Sequence, residues 1–440
     1  MRDSSQLFAP DFQIEPYWWR DFRPAALERE LPARRSDVAI IGGGYAGLSA
    51  ARTLSHHGLS ANVFEAGCFG VGASTRSGGA LSAGLSIGKS LTGKTLNYPP
   101  DVVAMVLRWA REAFDFVFSL CDEEGISCNL ERQGRFLGAC APSQFEWVRQ
   151  RFDKLQASGI NDCRLLQRCE QRSEIGSDYY HGGLVFEDAG KLNPALFFAG
   201  LLHACKQAQG IGLSDNNRVQ SIARSATGWR LNTEKGVFEA RELIVCTNGY
   251  TGKVTPRLRR RIIPVASHVI VTDVLDAAIA RDISPRGRTF SETRRISHYF
   301  RLTPDGTRLL FGGRSRFTDT PAALNARLLH EDMTIRFPQL RGVRISNVWQ
   351  GNVAFTSDAL PHAGEIDGMH YVSGCNGGGI AIMPYFGHQV ACKLAGKLNP
   401  ASAVGRLGMA PFPLYGGDPW FLPLVGNYFR ARDFIDEKIS

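Results

Sequence analysis

The strongest constraint on this chain is a glycine cluster set between two apolar strands. Asp37-Val38-Ala39-Ile40-Ile41 is a short run of buried-strand type, and Gly42-Gly43-Gly44-Tyr45-Ala46-Gly47 follows it directly. Tyr45 to His57 then reads as a helix stopped by Gly58, and Ala61 to Glu65 as a second strand. The spacing fits G-x-G-x-x-G within a βαβ unit of about thirty residues, with an acidic residue closing the second strand. Such a glycine pattern is weak evidence alone; this context makes it specific for a dinucleotide. Gly42 permits the sharp turn out of the strand. Gly44 lets backbone approach a diphosphate with no Cβ in the way, and Gly47 lets helix and strand pack closely. Tyr45 and Ala46 open the helix, whose unpaired N–H groups and partial positive charge suit phosphate. Glu65 is placed to accept hydrogen bonds from ribose hydroxyls and to disfavour a 2′-phosphate.

With 440 residues, 44% of them apolar, the chain is long enough for two connected domains. Its net charge of +9 comes from scattered arginines, without a nucleic-acid motif. The densest run, Arg257 with Arg259 to Arg261, reads as a solvated turn or as a positive field drawing in an anionic substrate. The ten cysteines form no CxxC pair and no zinc-like spacing, so no metal is expected and they read as reduced thiols of a cytoplasmic protein. No signal-peptide core opens the sequence, and no apolar run approaches the roughly 18 residues of a membrane span.

Two later segments bear on which dinucleotide is bound. Gly72-Ala73-Ser74-Thr75-Arg76-Ser77-Gly78-Gly79 suits close passage beside a second face of an extended cofactor. Asn376-Gly377-Gly378-Gly379-Ile380 opens a helix, whose N-terminus can stabilise negative charge on the edge of a reduced flavin. Elsewhere helices are predicted over 101–125, 194–209 and 321–337. Strands are predicted over 218–222, 229–233, 237–240, 242–247, 262–272, 299–303 and 309–312, with glycine-rich loops over 351–379 and a helix from there to about Gly396.

These segments, with Ile244 to Thr251, Leu309 to Gly313 and Trp349 to Gly364, run in order through nearly the whole chain. They resemble the D-amino-acid-oxidase-like superfamily of FAD oxidoreductases, the group of glycine and sarcosine oxidases, and stand nearest its γ-glutamylputrescine oxidoreductase branch. The resemblance implies an α/β fold: a discontinuous Rossmann-type FAD-binding domain plus an α+β substrate domain with a large antiparallel sheet. The FAD domain is expected over 1–100, including an N-terminal extension, then 181–256, and 346–440 with a C-terminal tail. The substrate domain is expected over 101–180 and 257–345. It implies Ser74, Arg76, Ser77 and Gly78 along the pyrophosphate and isoalloxazine, backbone near Val219 against the adenine, and Thr247 and Gly249 in a strand-end turn at the cofactor. Val353 stands where covalent sarcosine oxidases carry a flavin-linking cysteine, so FAD is expected to be non-covalent. Leu310 replaces a basic residue that helps oxygen react, and Ile380 or Ala381 replaces a lysine. The acceptor is therefore left open between oxygen and a respiratory carrier.

The implied activity is oxidation of a C–N bond in a small amine or amino acid by hydride transfer to flavin N5, giving an imine that hydrolyses. Arg314 is the candidate clamp for a carboxylate. Tyr299 and His298 are candidates to line the pocket or polarise the amine, and Trp349 to wall it. His362 falls in a segment expected near the flavin. Two alternatives share the βαβ unit: a NAD-linked dehydrogenase, and a flavoprotein subunit active only within a hetero-oligomeric amine or opine dehydrogenase.

Overall fold

The computed structural model describes residues 7–28, 30–82, 98–157, 162–314, 320–399 and 401–439. The glycine/serine-rich stretch from Gly70 to Gly88 lies outside them from residue 83 on.

Two large sheets organise the chain. In the first, strand Arg35–Ile41 lies parallel between Ala61–Phe64 and Gly236–Val245. Ile211–Ser214 extends one side, and Met369–Ser373 joins Gly236–Val245 in parallel. An antiparallel ribbon, Val219–Ser225 with Gly228–Thr233, completes that edge. Both faces of the central strands are covered, which is why all four residues of Ala61–Phe64 are buried, as parallel sheets require. Helices Tyr45–His56, Gly379–Leu394, Pro100–Glu123 and Pro194–Gln207 share one apolar core with it.

The second sheet has nine strands, in the order Phe8–Gln13, Ile345–Phe355, Ile263–Thr272, Leu309–Gly313, Tyr299–Leu302, Thr289–Glu292, Arg135–Gly138, Gly183–Phe186 and Cys163–Leu166. It is mainly antiparallel, but its first pair and the pair Thr289–Glu292 with Arg135–Gly138 are parallel. Period-two alternation divides its faces. Phe136, Phe290, Phe300, Phe311, Ile270 and Val348 form one cross-strand row on the face that packs against helix Ala322–Arg336. The rings of Phe290 and Phe300 stack at 5.0 Å and those of Phe300 and Phe311 at 5.5 Å. The adjacent row, Leu137, Ser291, Tyr299, Gly312, Val269 and Trp349, necessarily points the other way.

Several expectations are corrected. The supposed loops over 351–379 contain the end of strand Ile345–Phe355 and a hairpin, His362–Ile366 with Met369–Ser373. Gly351 and Gly364 sit inside ladder pairings, where composition alone suggested turns, while Gly368 makes the hairpin turn with φ +74°. Strands 237–240 and 242–247 are one continuous strand, Gly236–Val245. The N-terminal extension contributes Phe8–Gln13 to the second sheet, and Gly183–Phe186 also belongs there, so the boundary at 180/181 does not match sheet membership. Nor does the boundary at 345/346, because Ile345–Phe355 pairs along its length with Ile263–Thr272. The C-terminal tail holds a helix, Leu422–Ile439, whose Leu422 and Phe429 pack with Ile263, Val265 and Phe355. Among the described residues no helix is long and apolar enough to cross a membrane.

Candidate active site

A cavity of about 990 Å³ lies where the two sheets face each other. That is the upper end of the roughly 300–1,000 Å³ occupied by small-molecule and cofactor sites.

The first sheet supplies the cavity's glycine-rich wall. Gly42, Gly44, Tyr45 and Ala46 line it at the head of the first helix. Gly42 has φ +103°, and a Cβ there would stand 2.7 Å from the Cys246 carbonyl oxygen. Gly47 lies behind the wall; a Cβ would stand 2.0 Å from the Gly42 carbonyl oxygen, so the helix-to-strand approach is possible only for glycine. Gly44 is the extended N-cap residue and carries no side chain to cap the helix. Beyond the Tyr45 N–H, the N–H groups at that end open onto the cavity. The Glu65 carboxylate accepts hydrogen bonds from the N–H of Gly43 at 2.9 Å and of Ala66 at 2.8 Å, locking the turn to the second strand. Burial raises its pKa, and these N–H groups with that of Gly67 offset part of the rise.

Ala73, Ser74, Arg76, Ser77, Gly78 and Gly79 line the next stretch. Ser74 Oγ accepts from the Tyr45 N–H at 3.2 Å. Arg76 donates through Nε to the Val71 carbonyl at 2.8 Å and through Nη1 to the Gln350 carbonyl at 3.1 Å. Burial lowers its pKa. Val219, Thr247 and Gly249 line the wall from the first sheet's strand ends, and Asn376, Gly377, Gly378, Gly379 and Ile380 close it. Helix Gly379–Leu394 also starts without a side-chain cap. By contrast, Asn193 accepts from Ala195 and Leu196 to cap helix Pro194–Gln207, away from the cavity. Two helix N-termini whose N-cap residues are glycines, facing one elongated space, fit a dinucleotide with a diphosphate and a second electron-rich end.

Comparison with known proteins matches this geometry. The profile of the family described as "FAD dependent oxidoreductase" covers residues 37–393. The chain belongs to that family. It is 30% identical over 404 residues to γ-glutamylputrescine oxidoreductase of Escherichia coli (strain K12), covering 90% of this chain and 92% of that one. A probable oxidoreductase of Rhizobium meliloti (strain 1021) is 28% identical over 91% of this chain and 93% of its own length. Among solved structures, glycine oxidase from Geobacillus kaustophilus superposes with a TM-score of 0.71 at 21% identity, over 86% of this chain and 100% of that one. L-proline dehydrogenase from P. horikoshii does so at 0.69 and 17% identity, over 85% and 96%. The fold is thus that of the glycine-oxidase group, and the cofactor is FAD.

The second sheet forms the opposite wall of this family member's cavity. Tyr299 lies with its ring against Gly312 and Gly78; a Cβ on either would stand 2.4 Å or 2.7 Å from ring carbons. Its hydroxyl and Ser267 Oγ are 3.2 Å apart, and burial raises the phenol pKa. Arg314 lines the cavity with its guanidinium 4.8 Å over the Phe355 ring. Burial drops its pKa to about 10.

Three candidate residues lie elsewhere. His298 is not on the cavity wall: alternation turns it to the opposite face from Tyr299. There its Nδ1 meets Glu292 at 2.6 Å and its Nε2 meets Asp332 at 3.2 Å, beside Arg336. Trp349 packs behind the wall with Trp18, Val269 and Leu310. Its Nε1–H donates to the Arg76 carbonyl at 2.8 Å, as the Trp18 Nε1–H donates to that of Ser77 at 2.8 Å, so two indoles pin the cofactor loop from below. His362 is buried against Asp358, 3.0 Å away, outside the lining. Leu310 is likewise fully buried in the indole cluster.

Sequence reasoning missed Ser267, Ser291, Arg135, Tyr250 and Phe355, which all line the cavity. The signal available was a polar residue standing at alternate positions of an otherwise apolar strand, as Ser267 does within Ile263–Thr272. Among the described residues no cluster of His, Cys, Asp or Glu could hold a metal ion, and all ten cysteines are free.

Proposed function

We propose that the chain oxidises a C–N bond of an amine or amino acid that carries a carboxylate. The observation that carries this reading is that Tyr299 and Arg314, two residues beyond its partner Gly312, both line the sheet face opposite the glycine-rich wall. FAD, when bound, supplies the hydride-accepting N5 position. The chain's own residues then position the substrate, which is where most of the rate advantage of such a reaction lies. Arg314 holds the carboxylate through paired N–H donors, its guanidinium lying over the Phe355 ring at the cavity wall. Tyr299, kept protonated by burial, acts with Ser267 as a hydrogen-bond partner that orients the amine nitrogen rather than as a base. Phe355 and Val353 give that end of the cavity apolar walls that exclude water. Val353 offers no sulfur for a covalent flavin link, which supports a non-covalent cofactor.

The relatives named γ-glutamylputrescine oxidoreductase and glycine oxidase act on molecules of this type by name, which supports the substrate class. The acceptor is proposed to be a carrier or dye-like oxidant in preference to oxygen, because apolar Leu310 is buried at the position that resemblance assigns to an oxygen-activating base. The test is turnover of an amine and amino-acid panel by the FAD-loaded chain with an artificial dye acceptor and with air. Carbonyl product formed with dye, from carboxylate-bearing amines, is expected. A panel that yields no carbonyl product with either acceptor overturns the reading.

A further inference from the structure

The cation at Arg314 has a counterpart at the other end of the same sheet face. Ser291 lies directly opposite Tyr299, and Arg135 is two residues from Leu137, which lies opposite Ser291. Residues two apart on a strand share a face. Arg314, Tyr299, Ser291 and Arg135 therefore run as one diagonal across four neighbouring strands, all on the cavity wall. Three strand spacings of about 4.8 Å and a register offset of four residues at about 3.3 Å put the two arginine Cα atoms roughly 20 Å apart.

Arg135 is built like a site waiting for an anion. Its guanidinium lies 5.0 Å over the Phe186 ring, and its Nε–H is buried without an acceptor. The Ser291 hydroxyl is also buried without a partner, one diagonal step away. Diagonal neighbours on a sheet are about 7–8 Å apart at Cα, close enough for both groups to meet one carboxylate. Burial, with the charge of Arg151, lowers the Arg135 pKa, and no carboxylate pairs with it among the described residues. Buried polar groups normally find partners, so two unpartnered donors side by side on a cavity wall point to a ligand.

We propose that Arg135 and Ser291 form a second anion subsite, and that the substrate is an extended molecule with an anionic group at each end. Arg314 holds the group beside the reacting C–N bond, and Arg135 with Ser291 holds the distal one. This rests on the Arg314 reading above. The Tyr299 ring lies on the wall between them, along which the connecting chain runs.

The experiment titrates the FAD-loaded full chain with hexanoate and with straight-chain dicarboxylates from succinate to sebacate, following the visible spectrum of the flavin. Wild type is expected to bind an optimal long dicarboxylate at least about tenfold more tightly than hexanoate, the lower range for a charge-assisted contact. Arg135→Met is expected to erase that advantage while leaving hexanoate affinity unchanged, and Arg135→Lys to retain part of it. Where Arg135→Met folds poorly, Ser291→Ala reads the same ratio and is expected to shrink it about threefold. Hexanoate binding alongside sebacate that binds no tighter overturns this proposal alone, as does an advantage that survives Arg135→Met. Hexanoate that fails to bind wild type overturns the Arg314 reading, and this one with it.

Discussion

Replacing Arg314 by methionine separates two effects that usually move together. The folded chain holds this guanidinium at a pKa of about 10 instead of 12.5, through burial. A shift of that size corresponds to about 3 kcal/mol favouring the neutral form. At neutral pH the group stays charged, so folding bears that cost with no anion paired to it among the described residues. The cation–π contact with Phe355 returns about 1 kcal/mol. Arg314→Met therefore predicts a substrate-free protein that is more stable by about 1–2 kcal/mol, read as a higher melting temperature. The same change removes a hydrogen-bonded charge partner of the substrate, a loss of about 3 kcal/mol in such contacts. That is about a hundredfold drop in kcat/KM for a carboxylate-bearing substrate, and much less for one lacking the carboxylate. Arg314→Lys recovers charge but not the planar fork, and falls between the two. A variant that melts lower and keeps wild-type kcat/KM refutes the reasoning, because it makes Arg314 a structural residue.

Other expectations follow from single contacts. Gly44→Val is predicted to fold but lose FAD, since among the described residues only Ser74 Oγ lies within 4 Å of the added Cβ, whereas the diphosphate needs that space; absorbance of the purified protein checks it. Trp349→Phe orphans the Arg76 carbonyl and is predicted to cost about 1–3 kcal/mol in a melting experiment and to weaken FAD retention. Glu292→Gln breaks a fully buried pair with Arg336 and is predicted to cost about 3–5 kcal/mol without changing KM, because it lies on the far face of the sheet. His298 is pushed down by burial and by Arg336, but Glu292 and Asp332 outweigh them, so its net pKa lies above 6.5. Its contribution to stability is therefore full below pH 6.5 and fades as pH rises through the raised value; His298→Asn is predicted to flatten that part of the melting-temperature profile.

The nucleotide half was legible because its chemistry is local. Gly42, Gly44, Gly47 and Glu65 lie within one βαβ unit, and the steric demand on each can be read from its neighbours in sequence. The substrate half depends on pairing between distant strands, which a single sequence does not state. His298 and Tyr299 are adjacent and equally polar, yet the pleat sends one to the cavity and the other to a buried ion cluster. Nothing local says which. Trp349 was expected to wall the substrate pocket, whereas it packs behind the loop that it supports, its indole N–H donating to the Arg76 carbonyl. Arg135 stands about 180 residues from Arg314, and only the parallel pairing of its strand with Thr289–Glu292 brings it onto the same wall. Gly351 and Gly364 misled because ladder pairing, unlike a turn, leaves no compositional mark.

The reaction assigned to this cavity is tested most directly by anaerobic addition of carboxylate-bearing amines to the FAD-loaded chain. The account predicts loss of the oxidised flavin absorbance for at least one of them, with one equivalent of carbonyl product released for each flavin reduced. A flavin that keeps its oxidised spectrum across the whole panel, in a protein that binds those same compounds, contradicts it.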